Sequence, residues 1–374
     1  MDAYTFYKNL RENKPVFRDD NGPWQVARYD DVRRVLREHP VFSSDVALRD
    51  PGEKGTPTML FSDPPVHGRL RKLVSRAFSP GNINSQRQMI TARCEELMVD
   101  MKERGEVDLN AALASPLPIT VIAQMLGVED GDMLAFKHWS VKVFSNIGDI
   151  LFAKPAADVV AAADEMNAYF LNRIHGIRKH PEDTLLGKLI SYETEEGMLD
   201  DEEILSFCRL LLIAGNETTT GLIIGLVRVF HEMPEKFAQL QSNPDLAPDI
   251  VEETLRFYSP FSATVRRASQ DIELAGQHIL KGDLLMPLIA SANRDEAVFK
   301  QADKFIADRS PNPHLGFGSG IHNCLGAALA RLEGEIALRS MAKHLKSISL
   351  VDYDPAALSE FVKPDVIKIR VQPA

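Results

Sequence analysis

An α+β fold, mainly helical with small β-sheets set to one side, is what this sequence predicts, on three observations. Apolar residues recur at helical spacing from Pro65 through His231. Short β-prone segments gather towards the two ends of the chain and around Gly276 and Gly282; they do not alternate with the helices. The most apolar stretch, Leu210 to Phe230, is broken by Asn216-Glu217 and Arg228, which makes it a buried core helix and not a membrane span.

Taken in order, Pro15 to Arg18 and Trp24 to Ala27 read as strands around an Asn21-Gly22 turn. Asp30-Asp31 are placed to cap a short helix that runs to about Glu38 and stops before Pro40. Residues 43–64 are loop-like. The helical region that follows is punctuated near Gly105, Pro116, Pro118, Gly127, Pro155 and Pro181. Ile272 to Leu274, Ile279-Leu280 and Leu284 to Met286 read as strands, then a long helix follows Cys324. Ile348 to Leu350 and Val366 to Ile369 close the chain as strands.

The 374 residues are 44% hydrophobic and 26% charged, the balance of a globular protein with a large core. No linker, repeat or low-complexity run marks a boundary, so residues 1–374 are expected to form a single domain. A net charge of −10 excludes the basic footprint of nonspecific nucleic-acid binding. Cys94, Cys208 and Cys324 are odd in number and far apart, which fits a reducing cytoplasm better than a disulfide framework. The first residues hold an early acid and no apolar h-region, so no signal peptide or membrane anchor is expected.

The most informative segment is Phe317-Gly318-Ser319-Gly320-Ile321-His322-Asn323-Cys324-Leu325-Gly326-Ala327-Ala328-Leu329-Ala330. It sets one cysteine after a glycine-rich turn and before a helical pattern, near the positive end of a helix dipole that favours the thiolate. A lone cysteine is more often a small buried hydrophobe. A thiolate held in a backbone nest is, alternatively, a good ligand for haem iron. Further up the chain, His67, Arg71, Val74 and Phe78 share one helix face, with Arg69, Lys72 and Arg76 opposite. The first face suits the edge of a haem, whose propionates need cations, or it is an ordinary amphipathic surface. The basic stripe is either a solvated face or a docking patch for an acidic electron donor. In Ala214-Gly215-Asn216-Glu217-Thr218, two small residues let a cofactor or dioxygen approach the backbone. An acid and an alcohol inside an apolar helix are costly unless used or paired, and the segment is expected to interrupt the helix.

The pattern Phe-Gly-x-Gly-x-His-x-Cys-x-Gly-x-x-Leu-Ala resembles the haem-binding loop of the cytochrome P-450 monooxygenases at every fixed position. The resemblance runs from Trp24 to the last strands. The N-terminal lead and the loop between His39 and Asp63 are short for the family. It implies a fold with a long central distal helix, and haem b bound with Cys324 as iron ligand and Phe317, Gly318 and Gly326 in the loop. Asp63-Pro64-Pro65-Val66-His67-Gly68-Arg69-Leu70-Arg71 matches the opening of the helix that meets the propionates, which gives His67 and Arg71 that role. Ala214 and Gly215 would lie along the haem, and Glu217 and Thr218 would deliver protons; Thr219 and Thr220 are not the match. Glu253 and Arg256 would form a buried structural pair joined by Arg309. Arg266 and His322 are implied propionate donors, and Thr264 would line the haem or substrate.

The resemblance therefore implies a monooxygenase that puts one oxygen atom of dioxygen into an apolar small molecule, fed by a ferredoxin-type donor docked on Arg69, Lys72 and Arg76. A peroxide-driven peroxygenase and a non-catalytic gas-binding haem protein are the alternatives, and the intact Glu217-Thr218 pair speaks against both. Mostly apolar segments at 46–60, 144–152, 261–265 and 359–362, with Ala214, are the expected substrate lining.

Overall fold

The computed structural model describes residues 3–19, 22–46, 58–144, 155–194, 197–352, 354 and 366–374. The described strands are β1 (Val16–Phe17), β2 (Trp24–Val26), β3 (Phe42–Ser43), β4 (Glu106–Asp108), β5 (Glu193–Thr194), β6 (Gly197–Met198), β7 (Arg266–Ala268), β8 (Ile272–Leu274), β9 (Gln277–Ile279), β10 (Leu284–Pro287), β11 (Leu345–Leu350) and β12 (Lys368–Pro373). The chain divides into two compact units. One holds residues 1–46, 90–117 and 218–374; the other holds 47–89 and 118–217.

In the first unit a five-stranded sheet runs in the order β1-β2-β10-β7-β3. Strands β2 and β10 are parallel, with Leu285 opposite Trp24, and the other neighbours are antiparallel. Val26, Phe42, Leu285 and Phe299 are buried against this sheet, each removing apolar surface worth about 1.5–3 kcal/mol from water. The helix Tyr29–Arg37 covers the same core with Tyr29, Val32, Val35 and Leu36, a spacing that puts all four on one face. Asp30 and Asp31 lie inside its first turn, not at the cap, where they complement the helix dipole. The cap comes from far away in sequence: the Asp295 carboxylate accepts the Tyr29 N–H at 2.8 Å. The second sheet has the order β11-β12-β4, all antiparallel, and the hairpin β8–β9 stands apart.

Three features depart from the sequence reading. The helix Ala3–Asn13 precedes the first strand, and its Arg11 is buried with its guanidinium on the Ser291 carbonyl at 3.0 Å. Strand β4, next to the break read at Gly105, and the β5–β6 hairpin are strands in a region read as helices and breaks alone. The helix Asp201–Glu232 is continuous for 32 residues, ~48 Å, so Ala214 to Thr218 do not break it. Close packing holds that turn in the helix: a Cβ on Gly215 would stand 2.9 Å from Ile122. This is the one described helix long and apolar enough to cross a membrane, and it is mostly buried within the protein.

Among the described residues, the regular structure of the second unit is helical except for the β5–β6 hairpin. Helix Met133–Phe144 packs on Ala157–Lys179, with Phe136 and Phe170 edge to face at 6.3 Å. Helix Val66–Ala77 buries His67, Leu70, Leu73, Val74 and Ala77. Phe78, just beyond it, meets Phe207 edge to face.

Candidate functional site

The segment around Cys324 is a tight loop closed by its own backbone. Gly318 and Gly320 take positive φ values of 72° and 78°, which side-chain-bearing residues rarely adopt. The Gly318 N–H donates to the Leu315 carbonyl at 2.8 Å, a short turn forms at Gly320–His322, and the Cys324 N–H donates to the Phe317 carbonyl at 2.8 Å. A Cβ on Gly320 would sit 2.9 Å from the Leu36 carbonyl oxygen, so the loop and the helix Tyr29–Arg37 touch backbone to backbone. The helix after the loop is Ala327–His344, beginning three residues beyond Cys324. Cys324 stands just ahead of its first turn and is exposed, whereas Cys94 and Cys208 are buried. Desolvation pushes the Cys94 thiol up to about 11 and the Cys208 thiol up to about 12. Those two are held as buried thiols, and Cys324 is the exposed one of the three.

Two polar networks brace this loop. Glu253 is fully buried. It accepts from Arg256 at 2.7 and 2.8 Å, from Arg309 at 3.1 and 3.2 Å, and from the Ile306 N–H at 2.8 Å. Arg256 spends its other donors on the carbonyls of Asn293, Ala302 and Lys304. The Glu253, Arg256 and Arg309 trio expected from the sequence is therefore assembled, and it pins the approach to the loop. The second network was not foreseen. Glu252 binds His314 at 3.1 Å and Arg331 at 2.6 and 3.0 Å, and the Arg331 guanidinium lies 4.5 Å from the centre of the Phe317 ring. Burial raises the Glu252 pKa, but the His314 and Arg331 hydrogen bonds and the Arg331 charge outweigh it and hold the carboxyl down at about 2. The Asn293 side chain also takes the Leu315 N–H at 2.7 Å. Glu252 adjoins the Glu-x-x-Arg pair and Arg331 lies two turns beyond Cys324, the sequence signals that could have found them.

Along the long helix, Ala214 is exposed and Gly215, Glu217 and Thr218 are partly exposed, whereas Asn216, Thr219 and Thr220 are buried. The small residues, the acid and the alcohol thus share an open face on a helix that is otherwise core. Thr220 is committed elsewhere, donating to the Ala114 carbonyl at 2.9 Å. In the second unit His67 is buried and Arg71 partly so, on the same side of their helix. In the first unit Arg266 is buried on β7 opposite Leu285, while its neighbour Arg267 reaches the carbonyls of Asp45 and Val46. Thr264 and His322 are partly buried, His322 two residues from Cys324.

One expectation fails. Arg69 is not part of an open basic stripe. It is partly buried and forms an ion pair with Glu203, which lies 134 positions away in sequence, whereas Lys72 and Arg76 are exposed. Of the expected substrate lining, residues 47–57, 145–152 and 359–362 lie outside the described residues.

The donor set fits a haem. Within the first unit an exposed thiol stands on a glycine loop with its backbone braced from behind, and Arg266 is a cation buried on β7. The cytochrome P450 family model matches residues 236–355. The putative cytochrome P450 YjiB of Bacillus subtilis is 36% identical over 368 residues, covering 96% of this chain and 92% of that protein. The erythromycin C-12 hydroxylase of Saccharopolyspora erythraea is 36% identical, covering 94% of this chain and 89% of that protein. The structure of CYP109Q5 from Chondromyces apiculatus superposes with a TM-score of 0.89 at 33% identity, covering 99% of this chain and 95% of that one. With the loop, the buried trio and relatives spanning nearly its whole length, the chain belongs to the cytochrome P450 family.

Proposed function

We propose that this chain inserts one oxygen atom of dioxygen into an apolar small molecule, by hydroxylation or epoxidation, with electrons from a ferredoxin-type donor. As a cytochrome P450 it is an oxygen-incorporating oxidoreductase that binds haem b through a cysteine thiolate. The haem, when bound, supplies the activation of dioxygen; the chain's own residues hold it, feed it protons and exclude competing reactions.

Cys324 is the residue that would hold the haem iron, since it is the exposed thiol among three and its loop is closed by backbone hydrogen bonds. Phe317, Gly318 and Gly326 shape that loop. His67, Arg71, Arg266 and His322 are the proposed propionate partners, and Thr264 with Ala214 and Gly215 would line the haem and the substrate. Glu217 and Thr218 are the proposed proton path. The observation that carries the monooxygenase reading is their position: both are reachable on the open face of a helix whose flanks are core. A peroxygenase would need no such pair, nor would a protein that merely stores a gas. Lys72 and Arg76 are exposed on that face and are the proposed meeting point for an acidic donor, which would make turnover fall with added salt. Residues 1–374 are taken as one functional domain acting in the cytoplasm.

The test is turnover of the holoprotein with a surrogate ferredoxin and reductase against turnover with hydrogen peroxide alone. Oxygen incorporation from dioxygen that collapses in Thr218→Ala while haem content holds supports the reading. Product formed only from peroxide, indifferent to Thr218, contradicts it.

A further inference from the structure

The open face of the long helix is only useful if the helix cannot turn about its axis. Over its middle turns the packing is largely apolar, with Leu211, Leu212, Leu222, Ile223, Leu226 and Val227 buried, and apolar contacts are non-directional; other directional contacts lie nearer its ends, Glu203 with Arg69, Arg209 with Asn167 and Glu232 with Tyr258. Small rotations would therefore exchange one set of such contacts for another. At 100° per residue, Ala214, Glu217 and Thr218 fall within one sector about 100° wide, and Asn216 points the opposite way.

Asn216 is 1% exposed and its side-chain amide donates to the Ser140 hydroxyl at 3.1 Å. Ser140 is itself fully buried, on the helix Met133–Phe144. Four residues further along, on the same side as Asn216, Thr220 donates to the Ala114 carbonyl at 2.9 Å. Two directional bonds one turn apart thus stand behind the acid and the alcohol. Polar groups buried in an apolar core are retained only when satisfied, and satisfied ones fix geometry. A side-chain atom about 5 Å from a helix axis moves by about 1 Å for a 10° turn, enough to spoil a proton-transfer arrangement.

We propose that Asn216 and Ser140, backed by Thr220, are positioning residues that set the rotation of the Glu217–Thr218 face. Asn216 touches no reacting group in this scheme; it acts through its neighbour Glu217. The proposal rests on the reading of Glu217 and Thr218 as the proton path.

The experiment uses the full-length holoprotein with a surrogate ferredoxin and reductase, NADH and no added organic substrate. It measures hydrogen peroxide formed per NADH consumed for Ser140→Ala, Asn216→Leu, the double variant and Thr220→Val. Hydrogen exchange of the peptide spanning residues 212–222 is followed in parallel, in haem-free and haem-loaded protein. Each single variant is expected to change the peroxide yield by up to about fivefold, the factor one net hydrogen bond supplies. Because Ser140 and Asn216 share a bond, the effect of the double variant should fall short of the sum of the singles, and Thr220→Val should shift the yield in the same direction. Exchange at 212–222 should quicken in all four, with or without haem. Faster exchange with an unchanged peroxide yield would reduce the pair to a packing device and overturn the proposal, as would additive effects in the double variant. Glu217→Gln and Thr218→Ala are the controls: if they leave the yield unaltered, the proton-path reading itself fails.

Discussion

Glu333 sits in the helix Ala327–His344, nine residues beyond Cys324, with 1% of its surface exposed, and its Oε2 has no hydrogen-bond partner. Leu222 and Val251 crowd the adjacent Gly334, and a charge on Glu333 would raise the pKa of the buried Cys94 thiol. Desolvation alone pushes the Glu333 carboxyl up to about 8. The folded protein therefore holds this proton while the unfolded chain, at about 4.5, has already lost it. Stability is unaffected below about pH 4.5 and declines as pH rises towards 8, where the folded state must ionise too. Glu333→Gln mimics the protonated acid at every pH. It is expected to match the wild type at pH 4.5 and to exceed it by about 3 kcal/mol at pH 7, 1.36 kcal/mol for each of 2.5 pH units. For a chain of this length that is about 4 °C in Tm. Melting curves of both proteins at several pH values between 4.5 and 8 read the difference directly. A Tm difference independent of pH would refute the reasoning, because a packing effect of the amide does not titrate.

Glu253→Gln strips the charge from between Arg256 and Arg309 and leaves buried guanidinium groups uncompensated; a loss of about 3–5 kcal/mol and of haem retention is expected in unfolding and haem-titration assays. The Glu252 carboxyl, held at about 2 in the folded state, contributes stability above its unfolded value of about 4.5 that is lost as pH falls from there towards 2. An acid titration of the thiolate spectrum should show that loss, and it should flatten in Glu252→Gln. In Cys324→Ala the thiolate signature should vanish, and neither buried thiol should replace it; a retained signature would identify another ligand.

The parts of the candidate site written locally in the chain stand out in the sequence alone as candidates. The cysteine loop occupies one short window, and the Glu217–Thr218 pair stands out because an acid in an apolar run is conspicuous. The buried Glu253–Arg256–Arg309 trio was reachable through the family pattern. What escaped was set by distant partners. Arg69 shares a helical face with Lys72 and Arg76, as its spacing says, but spacing does not reveal Glu203 as its partner. Strand β4 exists because Val107 pairs with Ile369, a contact across most of the chain. The helix Ala3–Asn13 is held by Arg11 on Ser291, and a helix of mixed polarity gives little periodic signal on its own. Asp295 supplies the cap that Asp30 and Asp31 were expected to give. The same non-locality hid Asn293, His314 and Arg331 behind the cysteine loop.

The central claim is that Cys324 holds a haem iron as its thiolate. The carbon monoxide difference spectrum of the dithionite-reduced protein, expressed with haem supplied, tests it most directly. The account predicts the red-shifted Soret band of thiolate-ligated haem, lost in Cys324→Ala. A band at the position of histidine-ligated haem, or a protein that takes up no haem at all, would contradict it.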